Sequence, residues 1–152
     1  MVKGKPVPPV PSTLITKIET VEQTYYISEN REHQTPVGDE AIIEIMGTIE
    51  QIDLRHKRHL HRSMEITLVC SRSFFGEDRT PPSDKPFLLP VQLRKDRCSV
   101  MAYLPADAFW ALPPMITSGS ITHVEVRFGP SRCGSAELLS IYLLPKSKLS
   151  SV

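Results

Sequence analysis

Residues 41–71 read AIIEIMGTIEQIDLRHKRHLHRSMEITLVCS, and this stretch decides the fold. Ile43, Ile45, Gly47 and Ile49 alternate with Glu44, Met46, Thr48 and Glu50. A period of two belongs to a strand with one buried face. The phase then flips, because Ile52 and Leu54 are apolar at even positions. A β-bulge near Glu50–Gln51 returns both to the buried side. Met64, Ile66, Leu68 and Cys70 then alternate with Glu65, Thr67, Val69 and Ser71. Two alternating runs joined by a polar stretch read as a β-hairpin.

Residues 55–62, RHKRHLHR, are the expected tip of that hairpin. Arg55, Lys57, Arg58 and Arg62 are cations with no acid among them. The whole chain carries only +1, so the remainder is net negative. Much of that negative charge lies in residues 17–40, where Glu19, Glu22, Glu29, Glu32, Asp39 and Glu40 face only Lys17 and Arg31. A near-neutral chain exerts no global pull on nucleic acid or acidic lipid. Any such attraction must come from the knot.

Outward from this core, residues 76–86 (GEDRTPPSDKP) are a loop by their Pro, Gly and Asp content. Phe87, Leu89, Val91 and Leu93 alternate, Arg94–Arg97 turns, and Cys98–Leu104 returns, giving a second hairpin. Residues 105–112 (PADAFWAL) predict a two-turn helix, with Pro105 and Asp107 suited to its start. Phe109, Trp110 and Leu112 are expected on the sheet, and Pro113–Pro114 at the helix end. A further short turn at Met115–Ser118 closes at Gly119. Val124, Val126 and Phe128 alternate again, and residues 136–144 (AELLSIYLL) are apolar on both faces, as in a covered strand.

The domain organisation expected is a Pro-rich flexible tail over 1–12, an acidic segment over 13–40, a β-domain over 41–145 and a frayed tail over 146–152. The tail holds two PxxP spacings, Pro6–Pro9 and Pro8–Pro11, the pattern of an adaptor ligand. Thr, Ile, Val and Tyr over 13–28 favour an added strand, and 29–39 reads as a polar linker. The fold class expected is mostly β: a single antiparallel β-sandwich or small barrel of six to seven strands with one short helix. The alternative is an OB-like barrel, whose long, bulged first strand the Gly47 strand resembles.

The function expected is a non-catalytic binding module whose basic tip contacts an acidic partner, either an acidic protein segment or nucleic acid. Arg55, Lys57, Arg58 and Arg62 would neutralise phosphates or carboxylates, while His56, His59 and His61 would hydrogen-bond or stack. Phe74, Phe75 and Tyr103 are the aromatics nearest to a stacking platform. A zinc site on His56, His59 and His61 is the weaker alternative, since His59 and His61 share a face of an extended chain while the adjacent cations repel a metal. Neighbouring cations also depress these imidazole pKa values. No cofactor is expected. The three cysteines, Cys70, Cys98 and Cys133, lie far apart without a CxxC and read as reduced thiols. No GxSxG, P-loop, GxGxxG or HExxH occurs, so no catalysis is expected. No segment has the character of a signal peptide or membrane span, which makes the cytoplasm the default location. A structural domain that oligomerises through a sheet edge is the remaining alternative.

Overall fold

In a computed structural model, the described residues are 4, 10–29, 37–71 and 88–149. Most of the Pro-rich tail, most of the 29–39 linker, the 76–86 loop, Phe74, Phe75 and Phe87 lie outside them. Among the described residues there are eight strands: β1 (Ser12–Glu29), β2 (Val37–Ile52), β3 (Ser63–Ser71), β4 (Val91–Leu93), β5 (Cys98–Tyr103), β6 (His123–Phe128), β7 (Ser135–Ala136) and β8 (Leu138–Leu144). One helix, α1 (Ala106–Thr117), separates β5 from β6. The strands form one sheet in the order β7-β4-β5-β3-β2-β1-β6-β8. Its two ends are β7 and β8, consecutive pieces of the same chain, so the sheet curls nearly closed into a barrel. No helix of the described residues is long and apolar enough to cross a membrane.

The alternation over 41–49 is realised as written. Ala41, Ile43, Ile45 and Ile49 are buried, and Met64, Ile66 and Leu68 face them from β3. The bulge lies where the phase flips. Ile15 pairs with Gln51 and Thr16 with Ile49, so Glu50 is the extra residue of β2. A second shift leaves Glu19 unpaired on β1. Two bulges bend the pair strongly, which is how a long ribbon enters a barrel. Gly47 permits the bend: a Cβ there would meet the Lys17 carbonyl oxygen at 2.1 Å and Thr16 Cγ2 at 2.6 Å. Over Ser12–Lys17, β1 is an inner strand between β2 and β6. Beyond Ile18 its second edge has no strand partner among the described residues.

Several expectations are corrected. The count is eight strands, not six to seven, because residues 135–144 divide between two edges and β1 joins the sheet. Pairing is not antiparallel throughout: β3 and β5 are parallel, with Met64 opposite Cys98 and Val69 opposite Tyr103. Leu54 is 86% exposed, because the strand stops at Ile52 before the restored phase can reach it. The helix passes through Pro113 and Pro114. Proline φ is already helical, so only two backbone donors are lost. The far turn is held by buried Ile116, by the Ser118 N–H donating to the Pro114 carbonyl at 3.0 Å, and by Gly119 at φ +81. Phe109 is buried, but Trp110 is 52% exposed and stands edge-on to Phe109, ring centres 5.0 Å apart. β8 is not covered on both faces: it ends the sheet order, α1 packs on β3, and Leu139 and Tyr142 are exposed.

Candidate anion-binding cleft

The basic knot is not an extended hairpin tip. Leu54–His59 winds as a 3-10 turn between β2 and β3, with His56 departing from helical angles (φ −120, ψ 18). Positions three apart eclipse in a 3-10 turn. His56 and His59 therefore share one face, and that face points inward: His56 is 8% and His59 1% exposed. The excursion is closed at its base on the bulge. The Ile49 N–H donates to the Arg62 carbonyl at 2.9 Å, and the His61 N–H donates to the Ile49 carbonyl at 2.8 Å. His61 turns the corner at φ +65, a region in which His is enriched among non-glycine residues.

The two buried imidazoles have separate partners. His56 meets Phe128 edge-on, ring centres 5.3 Å apart. The Arg58 Nε–H donates to His59 Nε2 at 3.1 Å, and Cys98 Sγ lies 3.5 Å from His59 Nδ1. A guanidinium Nε always carries its hydrogen, so Nε2 must accept. The imidazole proton therefore sits on Nδ1 and is donated to the Cys98 sulfur. The thiol hydrogen is left to point at the Arg94 carbonyl, 4.0 Å away. A chain of donors thus runs Arg58, His59, Cys98, Arg94, and ties the 3-10 turn to the β4–β5 turn. Arg62 adds a second tie by donating to the Lys95 carbonyl.

Burial sets the protonation of this chain. It pushes the His59 imidazole below its ordinary value, helped by Arg58 and Arg62, and does the same for His56 beside Arg55 and Arg58. Burial raises the Cys98 thiol, against a smaller opposing pull from Arg62. At neutral pH the pair is imidazole and thiol, a brace rather than an ion pair.

The brace holds open a cleft of about 700 Å³. One wall is Arg58 and Arg62, with His59 at its base; the other is Arg94, Lys95 and Asp96 from the β4–β5 turn; Cys133 and Gly134 form the lip. Four cations converge here against one acid. Among the described residues no carboxylate lies within ion-pair distance of Arg58, Arg62, Arg94 or Lys95. The neighbouring arginines are different. Arg97 pairs with Glu65 at 2.9 Å. Arg55 approaches Asp53 at 3.7 Å and donates to Ser12 Oγ at 3.1 Å and the Val10 carbonyl at 3.2 Å.

The seven residues singled out in the sequence are thus divided. Arg58, His59 and Arg62 belong to the cleft. Arg55 anchors the start of β1, and His56 packs into the barrel end. Lys57 and His61 are exposed and outside the cleft. The three imidazoles do not gather, and among the described residues no group of three His, Cys, Asp or Glu side chains is placed to hold a metal. Arg94, Lys95 and Cys98 were missed. The only trace of the first two was the basic turn RKDR at 94–97, and Cys98 is 39 positions from its imidazole.

Toward β1 and β6 the 3-10 segment borders a second groove, of about 600 Å³, lined by Glu50, Asp53, Leu60 and Glu125. His123, buried on β6, meets Glu50 through Nε2 at 3.2 Å and Thr122 Oγ1 through Nδ1 at 2.7 Å. No protein-family model matches the chain, nor does any curated protein or solved structure.

Proposed function

We propose that the protein is a non-catalytic binding module that takes an acidic partner in the cleft between the 3-10 turn and the β4–β5 turn. The observation that carries this is the convergence of four cations without carboxylate partners among the described residues, on two walls tied together by the His59–Cys98 brace. Placing like charges in one cleft is unfavourable unless an anion neutralises them. A braced cleft meets that anion with little ordering cost. The neutral thiol–imidazole pair supports a binding role over a nucleophilic one. An acidic protein segment fits better than a nucleic-acid strand, because among the described residues no aromatic side chain lines the cleft to stack a base. Three cysteines outside any disulfide fit a reducing compartment such as the cytoplasm.

Two other readings each have an observation behind them. An OB-like nucleic-acid-binding module is favoured by the nearly closed sheet and the bulged, glycine-containing β2. The parallel β3–β5 pair and eight-strand order depart from a five-stranded Greek-key barrel. A structural, oligomerising domain is favoured by the open edge of β1 beyond Ile18, where Tyr25, Tyr26 and Ile27 are exposed.

The test is fluorescence anisotropy with a labelled decaglutamate peptide and with labelled single-stranded and duplex oligonucleotides, at low and moderate salt. Wild type is compared with a variant in which Arg58, Arg62, Arg94 and Lys95 are all alanine. Salt-sensitive peptide binding that disappears in the variant is the expected result. Binding of oligonucleotides alone moves the function to the OB-like reading. Absence of binding to every probe at low salt overturns the cleft as a site.

A further inference from the structure

Resting on that reading, we infer that the group bound in the cleft is a phosphate ester, carried on a side chain of the partner protein. The first support is the donor set. Arg58, Arg62 and Arg94 each spend one guanidinium nitrogen inside the protein: Arg58 on His59, Arg62 on the Lys95 carbonyl and Arg94 on Gln92 Oε1 at 3.1 Å. The remaining guanidinium nitrogens, and the Lys95 ammonium, have no carboxylate among the described residues to occupy them. Three planar forks lining one cleft suit an anion with three terminal oxygens, since each fork seeks a bidentate pair. A carboxylate offers two oxygens and one charge. A phosphate monoester offers three oxygens and nearly two charges at neutral pH.

The second support is where the charge stops. The whole chain carries +1, so everything outside these four cations is net negative. The outer face of β1–β2–β3 is acidic, with Glu22 directly opposite Glu44 and Glu65 opposite Met46 in the ladder. A nucleic-acid strand needs a basic track extending over several phosphates. Here a compact basic cleft stands beside an acidic groove lined by Glu50, Asp53 and Glu125, which would repel the next phosphate. The distribution fits one doubly charged group, not a polyanion. At about 700 Å³ the cleft also has room for the residues flanking a phosphorylated side chain.

The test is a titration of the full chain, followed in ¹H–¹⁵N spectra at neutral pH, with N-acetyl-O-phosphoserine amide, N-acetylglutamate amide and a twelve-nucleotide oligothymidylate. Capped phosphoserine is expected to move the amides of 58–62 and 94–97 saturably, and to bind about tenfold tighter than capped glutamate. Lys95→Glu should remove most of that response, and Glu125→Lys should leave it intact. Among the described residues the Lys95 side chain has no hydrogen bond or ion pair, so its reversal spares the backbone carbonyl that receives Arg62. Arg94→Gln is a second variant should Lys95→Glu disturb the turn, which its own spectrum reports. Equal binding of glutamate and phosphoserine at the cleft overturns the phosphate inference and leaves the acidic-partner reading standing. Oligothymidylate binding at these residues without a phosphoserine preference overturns it in favour of nucleic acid. No response at 58–62 or 94–97 to any probe overturns both.

Discussion

Two grooves border the same 3-10 segment and are built on opposite plans. In the basic cleft, charges of one sign converge and their partners are neutral: an imidazole nitrogen, a backbone carbonyl and a side-chain amide. In the acidic groove, two of three carboxylates are already met, since His123 reaches Glu50 and Arg55 approaches Asp53. The difference teaches where uncompensated charge is held in place. Rigidity is invested on the basic side through Arg58, His59, Cys98 and Arg94, whereas the acidic side has the separate His123–Glu50 and Arg55–Asp53 contacts. These two contacts are separate, and a partly exposed pair such as Arg55–Asp53 adds little, so they alone would not shape a site. A buried, directional chain of hydrogen bonds can.

The largest effect is expected from a change that breaks both grooves together. Gly47→Ala forces a Cβ into the Lys17 backbone and unseats the β1–β2 bend on which the 3-10 segment hangs. A loss of about 3 kcal/mol is expected in denaturant unfolding, the upper end for overpacking. His59→Leu should separate the two sides. It leaves Arg58 Nε and the Cys98 sulfur without their partner, at a cost of about 2 kcal/mol. Anion binding in the cleft should fall, while the Glu50–His123 contact, read by the His123 ring resonances, stays unchanged.

Acid should act on the basic side first. His59 and His56 both titrate below the ordinary imidazole value of 6.5 in the folded chain. As pH falls, the unfolded chain takes up protons before the folded one does. Stability from this source is complete above about 6.5, declines as pH drops through that value, and levels off below the lowered folded pKa. Unfolding midpoints measured from pH 8 to 5 should show the decline, and His59→Leu should flatten it. The smallest effect is a gain. Thr16 is fully buried, and its Oγ1 has no hydrogen-bond partner among the described residues. Thr16→Val keeps the shape and removes the unpaired hydroxyl, so a stabilisation of about 1 kcal/mol is expected with both grooves unchanged.

What the sequence could and could not show follows the same division. Alternation over 41–49 and 64–68, and the phase flip at Glu50, are local consequences of one buried face, and the structure repeats them. At the end of β3 it departs from the expectation, since Val69 and Ser71, expected outward, are buried and Cys70 is only half-buried. The knot was visible as charge but not as shape. Its inward turn depends on Phe128 and Cys98, which reach His56 and His59 only after the barrel closes. The second wall was hidden for a related reason. Arg94 and Lys95 join Arg58 and Arg62 because β5 lies parallel to β3, a long-range pairing that no local pattern in the sequence announces. The helix is continuous where the sequence predicts a helix and a separate turn, because Pro113–Pro114 signals a stop locally, whereas the buried Ile116 that holds the turn beyond them is set by tertiary contact.

The most direct test of the contrast between the grooves is a calorimetric titration of decaglutamate into three proteins at low salt: wild type, Lys95→Glu and Glu125→Lys. Wild type and Glu125→Lys should bind with heats that shrink as salt is raised, and Lys95→Glu should not bind. Equal binding by wild type and Lys95→Glu, or none by wild type, would contradict the assignment of the basic cleft as the binding site.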